Sequence, residues 1–217
     1  MALTVYGYRY SVYTRIAKMA LATRGLSYQM IETDPFADPP DARLRAVNPF
    51  HRVPVLDHDG FVLTETAAIT RYLARAFQGA ALVPDTAQAA ARMDQVIAIA
   101  DAYGYWPLVR QVFSHAVFRP ATGAPSDDAL IAEGLAAAKP VLRVLDDIAR
   151  GGLVLNGREV TLADLHLAPM IGYFVMSDAG RRAFENYAAL GAWWDVMQQL
   201  AAYQTTDPGL ASFAAGE

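Results

Sequence analysis

The hydrophobic period of this chain changes once, and that change limits the folds open to it. Up to about Phe77, short apolar runs alternate with helical stretches and turn residues. Beyond Asp85 nearly every segment repeats its apolar residues at helical spacing. Leu3 to Tyr6 reads as a strand. Thr14 to Arg24 carries Ile16, Met19, Ala20 and Leu21 at helical spacing, and Gly25 is a suitable helix stop. Leu26 to Glu32 reads as a second strand. A loop with three prolines follows, "DPFADPPD", and Ala42 to Val47 reads as one or two helical turns. Val53, Val55 and Leu56 then face Phe61-Val62-Leu63 across the turn residues His58-Asp59-Gly60, which predicts a hairpin. Thr64 is a fitting N-cap for a third helix, with Glu65 in its first turn.

The expected order is therefore β-α-β-α-β-β-α, then helices alone. It predicts an α/β domain over residues 1–78, a linker over 79–85 and an all-helical domain over 86–217. In the second half Met93, Val96, Ile97 and Ala100 form one stripe, and Leu135, Leu142, Leu145 and Ile148 another. Leu162 to Val175 is almost wholly apolar, as a central buried helix would be, and Pro120 to Pro125 breaks the helical region.

Composition removes several classes of function. Hydrophobic residues are 54% and charged residues 18%, which supports a sizeable core and excludes a disordered chain. Net charge is −4 with no basic run, which argues against a nucleic-acid partner. There is no cysteine, so disulfides, thiolate metal sites and a cysteine nucleophile are excluded; four scattered histidines predict no metal site. No run reaches about 18 apolar residues, so no membrane span is expected. "MALTVYGYRY" lacks the charged start and apolar run of a signal peptide, and a cytoplasmic protein is expected.

Pro54 is the oddity of the hairpin. A proline at a strand head cannot donate to the ladder, so the backbone there turns its polar groups toward something else. A ligand with a peptide backbone is one such partner. Thr161 and Asp164 form a T-x-x-D capping box on the apolar helix, a structural role, and His166 beside them reads as a packed core histidine.

Four stretches, in order and at matching spacing along the whole chain, resemble the cytosolic glutathione transferases. They are "YSVYTRIAKMALATRG", "NPFHRVPVLDHDGFVLTET", "GREVTLADLHLAP" and "YAALGAWWDVM". The "NPF" form is closest to the phi- and theta-like branches; the resemblance is to a bacterial type, serine-type by the place of Ser11. The resemblance implies a thioredoxin-like N-terminal domain, an all-α C-terminal domain and a homodimer. In relatives an aromatic near Phe50 inserts into the partner subunit.

The resemblance also assigns ligand contacts. Glutathione carries two carboxylates, an amine and a thiol. Its γ-glutamyl carboxylate suits the N–H and hydroxyl of Thr66 at a helix start, and Glu65 suits the ammonium. A cis Val53–Pro54 bond would offer the Val53 N–H and C=O to the cysteinyl backbone. Arg52 then lies near the glycyl carboxylate, where many relatives have Gln or Lys. Some relatives add a His near the second helix; this chain has Pro39-Pro40 there.

The thiol must ionise to attack an electrophile. Lowering its pKa from about 8.5 to 6.5 takes roughly 2.7 kcal/mol. A hydrogen bond to a charged group supplies about 1.5–3 kcal/mol, and a helix N-terminus about 0.3–1 kcal/mol. One hydroxyl before the first helix is thus sufficient, without metal or base. The candidates are Tyr6, Tyr8, Tyr10, Ser11, Tyr13 and Thr14. Ser11 matches the serine-type register and is favoured; Tyr6 is the tyrosine-type alternative, and Ser11 as a plain N-cap is the third reading. "DAYGYWPLVRQVF" brings Tyr103, Tyr105, Trp106, Val109 and Phe113 close together in sequence. Singly each suits helix packing; together they suggest an aromatic pocket for a small hydrophobic electrophile. Glutathione-dependent isomerisation, dehalogenation or peroxide reduction would use the same glutathione site. A non-enzymatic interaction module of this fold would have no need of Ser11, Glu65 and Thr66.

Overall fold

The computed structural model describes residues 2–210. The chain forms two compact units, Met1–Ala81 and Leu82–Glu217.

The first unit is built on a four-stranded mixed sheet of order β2-β1-β3-β4. β1 (Leu3–Gly7) runs parallel to β2 (Gln29–Glu32) and antiparallel to β3 (Val55–His58); β4 (Phe61–Leu63) closes a hairpin with β3. Along β1, Leu3, Val5 and Gly7 are buried while Thr4 and Tyr6 are half-exposed, the two-residue period of a strand. Asp59 and Gly60 alone form the hairpin loop, both at positive φ (51° and 91°), as a type I′ turn requires.

Three helices complete the unit: α1 (Val12–Thr23), α2 (Ala42–Val47) and α3 (Thr66–Ala76). Ile16, Met19, Ala20 and Leu21 of α1 and Ile69 and Leu73 of α3 are buried with Val55 and Leu56 of the sheet. α1 begins two residues earlier than its apolar pattern suggests, because Ser11 caps it. It ends in a Schellman motif: Gly25 sits at φ 66°, its N–H bonds Ala22 and the Leu26 N–H bonds Leu21. That motif holds Leu26 in the helix end, so β2 starts at Gln29 rather than Leu26. The third helix is also shifted: Glu65, not Thr64, is the N-cap, and Thr66 is the first helical residue.

The second unit is helical. α4 (Ala87–Ile99) continues without interruption into a wider helix over Ala100–Gly104 and Trp106–Phe118, and into a short α5 (Arg119–Ala121). In the wider part Tyr105 donates its N–H to Ala100, and Arg119 to Ser114, five residues back. Pro107 lies there and lacks the N–H that a regular turn would use. α6 (Asp128–Gly151) packs along it, and close approach requires Gly134: a Cβ there would lie 2.7 Å from Gln111 Cβ.

α7 (Leu162–Met176) is the centre of this unit, with every residue from Leu162 to Phe174 buried. α4, the wide helix, α8 (Asp178–Phe184), α9 (Ala188–Met197) and α10 (Ala201–Thr205) pack on it. Leu82 is buried, and its carbonyl accepts the Leu162 N–H at 2.9 Å. Among the described residues no helix is long and apolar enough to cross a membrane.

Candidate functional site

Strand directions bring three segments to one end of the sheet. Tyr6, near the C-terminal end of β1, pairs with Val55, the first residue of β3. Leu63, the last residue of β4, pairs with Leu56. The start of α1, the turn before β3 and the start of α3 therefore share this end.

Ser11 stands at the first of these points. Its Oγ accepts the Thr14 N–H at 3.3 Å, and its N–H bonds the Tyr8 carbonyl at 2.9 Å. As an acceptor toward Thr14, the hydroxyl keeps its own proton for donation elsewhere. Capping and donation to a thiolate are therefore compatible roles. Thr14 is fully buried, and its hydroxyl accepts the Tyr8 N–H at 3.3 Å. Tyr6 is half-exposed on the sheet. Tyr8 and Tyr10 meet edge to face at 5.6 Å between ring centres, and Phe36 stands edge-on to Tyr8 at 6.2 Å. Burial, with Asp34, Tyr10 and Glu32 nearby, pushes the Tyr8 phenol up from its ordinary value, so it stays protonated at neutral pH.

The turn before β3 carries Arg52, Val53 and Pro54. The Val53–Pro54 peptide is cis, as the sequence predicts, and Val53 lies two residues before the first ladder pair. The Arg52 side chain is exposed, and its carbonyl accepts from Asn48 Nδ2 at 2.8 Å. Asn48 is a residue the sequence reading passes over. It is buried, and its Oδ1 accepts the Phe50 N–H at 2.9 Å, so one amide holds the loop from both sides. The signal was the first letter of the "NPF" motif. Phe50 itself is 70% exposed.

At the third point Glu65 adopts φ 66° and ψ 114°, outside the helical region, and its side chain makes no capping bond. The carboxylate is thus exposed beside the first turn of α3, and Thr66 is buried in that turn.

The aromatic run of the second unit does not stay together. Tyr103 and Trp106 are 67% and 60% exposed, and Tyr105 is half-buried. Val109 and Phe113 instead belong to the core, with the Phe113 ring 4.4 Å from Tyr173. The wider helix turns these positions away from the face that regular spacing suggests. Thr161 and Asp164 hold the box expected of them: Asp164 Oδ2 accepts the Thr161 N–H at 2.7 Å and its hydroxyl at 2.6 Å. Among the described residues no cluster of three or more His, Asp or Glu could hold a metal.

The glutathione S-transferase N-terminal domain family matches residues 5–81. Glutathione S-transferase F10 of Arabidopsis thaliana is 28% identical over 207 residues, covering 94% of this chain and 95% of that protein. Glutathione S-transferase F11 of the same plant is 31% identical over 161 residues, 72% and 73% of the two chains. The structure of glutathione S-transferase III in apo form superposes with a TM-score of 0.83 at 26% identity, over 97% of both chains. With the mixed four-stranded sheet and helical second unit already described, these matches show that the chain belongs to the glutathione S-transferase family.

Proposed function

We propose that this protein is a cytoplasmic, serine-type glutathione transferase of phi- or theta-like character, which joins the glutathione thiolate to small hydrophobic electrophiles. One observation carries the reading: the capping hydroxyl of Ser11, the Val53 turn and the exposed Glu65 carboxylate share one end of the sheet. Glutathione has a thiol, a peptide backbone and an ammonium in that same succession.

In this reading Glu65 pairs with the γ-glutamyl ammonium. The first turn of α3 offers Thr66 to the γ-glutamyl carboxylate, where the helix dipole favours an anion. The Val53 backbone pairs with the cysteinyl residue, and Arg52 reaches the glycyl carboxylate. The thiol proton passes to solvent, and the Ser11 hydroxyl, keeping its own proton, donates a hydrogen bond to the thiolate sulfur. The thiolate then forms a C–S bond to an electrophilic carbon. A halide departs with the bonding pair in a substitution; in an addition to an activated alkene, the adjacent carbon takes up a proton. Tyr103, Tyr105 and Trp106 are the exposed or half-exposed part of the acceptor surface. The enzyme works as a homodimer, with the exposed Phe50 as its clasp.

Titration calorimetry with glutathione tests the binding half of this reading. Release of halide from an aryl chloride in the presence of glutathione tests the transfer half. Binding without transfer to any acceptor leaves an interaction module, and no binding removes the reading.

A further inference from the structure

The imidazole of His166 is fully buried in α7, the central apolar helix of the second unit, yet its Nε2 lies 2.8 Å from Asp101 Oδ1, 65 residues away. Burying a polar group costs free energy that one hydrogen bond to a carboxylate roughly offsets. The arrangement therefore adds little net stability over a leucine of similar volume. What it does add is a fixed position. Asp101 is on the surface, 37% exposed at its side chain, where a carboxylate would otherwise sample several rotamers.

Asp101 lies in the first wide turn, Ala100–Gly104, and Tyr105 closes that turn with its N–H on Ala100. Wide turns are strained relative to regular helix and persist where something over-determines them. Asp164, the carboxylate of α7, is already used by Thr161 and Trp193. His166 is used by nothing in the proposed reaction.

We propose that His166 is a positioning residue for the acceptor surface: its bond to Asp101 holds the wide turn in register and so aims Tyr103, Tyr105 and Trp106. This rests on the transferase reading for its kinetic consequence, but not for its structural one. The bond ties the surface turn to α7, whose residues Leu162 to Phe174 are all buried. Without it, the turn relaxes toward regular four-residue bonding, which rotates each aromatic that follows.

The test uses Asp101, because a substitution at His166 endangers the core. Asp101→Ala removes the acceptor; Asp101→Asn keeps an oxygen for the Nε2–H. In Asp101→Ala, amide hydrogen exchange should quicken across residues 100–106 and not in α7. The KM for a nitro-substituted aryl chloride should rise about tenfold, the scale of a displaced binding group, with the KM for glutathione unchanged. Asp101→Asn should restore both to within about twofold of wild type. Unchanged exchange, an unmoved acceptor KM, or a glutathione KM that rises in step overturns the proposal. So does an Asp101→Asn protein that behaves like Asp101→Ala. If the wild-type protein binds no glutathione by calorimetry, the transferase reading is what fails, and exchange at residues 100–106 alone decides the positioning role.

Discussion

The indole N–H of Trp193 in α9 donates to Oδ1 of Asp164 in α7 at 2.7 Å, and both residues are buried. The same carboxylate takes the Thr161 N–H and hydroxyl on its other oxygen. One side chain thus caps the central helix and docks a second helix on it. Trp193→Phe leaves one buried carboxylate oxygen unsatisfied, a loss of about 1–3 kcal/mol. Asp164→Ala strands two buried N–H donors and should cost about 2–6 kcal/mol. Denaturant unfolding of the two variants checks the order, with Asp164→Ala the more damaged.

Asp164 also sets a pH dependence. Burial raises its pKa above the ordinary carboxylate value, against the opposing hydrogen bonds from Thr161 and Trp193. A raised folded pKa means that the folded state favours the proton. The stabilisation is therefore complete below about pH 4 and is lost as pH rises through the raised value. Asp164→Asn, which cannot ionise, should show no such loss across that window. Unfolding free energies of the two proteins, measured in steps from pH 4 upward, should diverge in slope.

Ser11→Ala should slow conjugation at neutral pH by roughly 10- to 150-fold, the equivalent of about 1.5–3 kcal/mol. Its pH–rate profile should move up toward the free-thiol pKa, with glutathione affinity little changed. Because Ser11 also caps α1, the same variant should lose about 1 kcal/mol of stability. Tyr6→Phe should leave the profile in place. A profile that moves with Tyr6→Phe and not with Ser11→Ala makes the enzyme tyrosine-type.

Glu65 gives two effects of opposite sign. At φ 66° a residue with a Cβ is strained, by about 1–3 kcal/mol. Glu65→Gly should therefore raise unfolding stability while weakening glutathione binding at least tenfold. Glu65→Ala and Thr66→Ala should weaken binding with the fold kept. Calorimetry paired with thermal unfolding separates the two quantities, and unchanged affinity in all three variants removes the γ-glutamyl assignment.

If Phe50 anchors the proposed homodimer, Phe50→Ala should shift it toward monomer, since truncating an aromatic anchor at an interface costs about 2 kcal/mol or more. Its side chain is 70% exposed, and its backbone N–H is held by Asn48. Sedimentation velocity over a range of protein concentrations measures the shift, and a wild-type monomer ends the idea.

Much of this protein was settled within a few residues of chain. Asp59-Gly60 made the hairpin turn because glycine, with aspartate before it, tolerates positive φ. Gly25 ended α1, and Ser11 began it, through bonds spanning three to five residues. The single change of hydrophobic period separated a sheet-bearing first part from a helical remainder, because the two structures bury faces at different spacing. Other features needed contacts between distant residues. β2 is the four residues that pair with Thr4 to Gly7 of β1. Asp101 has its partner, His166, 65 residues along the chain, and only folding sets α7 against it. Val109 and Phe113 looked like companions of Trp106, but the wide helix around Pro107 turned them into the core. Glu65 read as a first-turn acid suited to the ligand's ammonium, and only the folded backbone gave it positive φ and an uncapped carboxylate. Local sequence determined where turns and caps fall, since those bonds close within one turn. Tertiary structure decided which polar side chains are oriented and which aromatics are exposed, since that depends on partners the chain brings together only by folding.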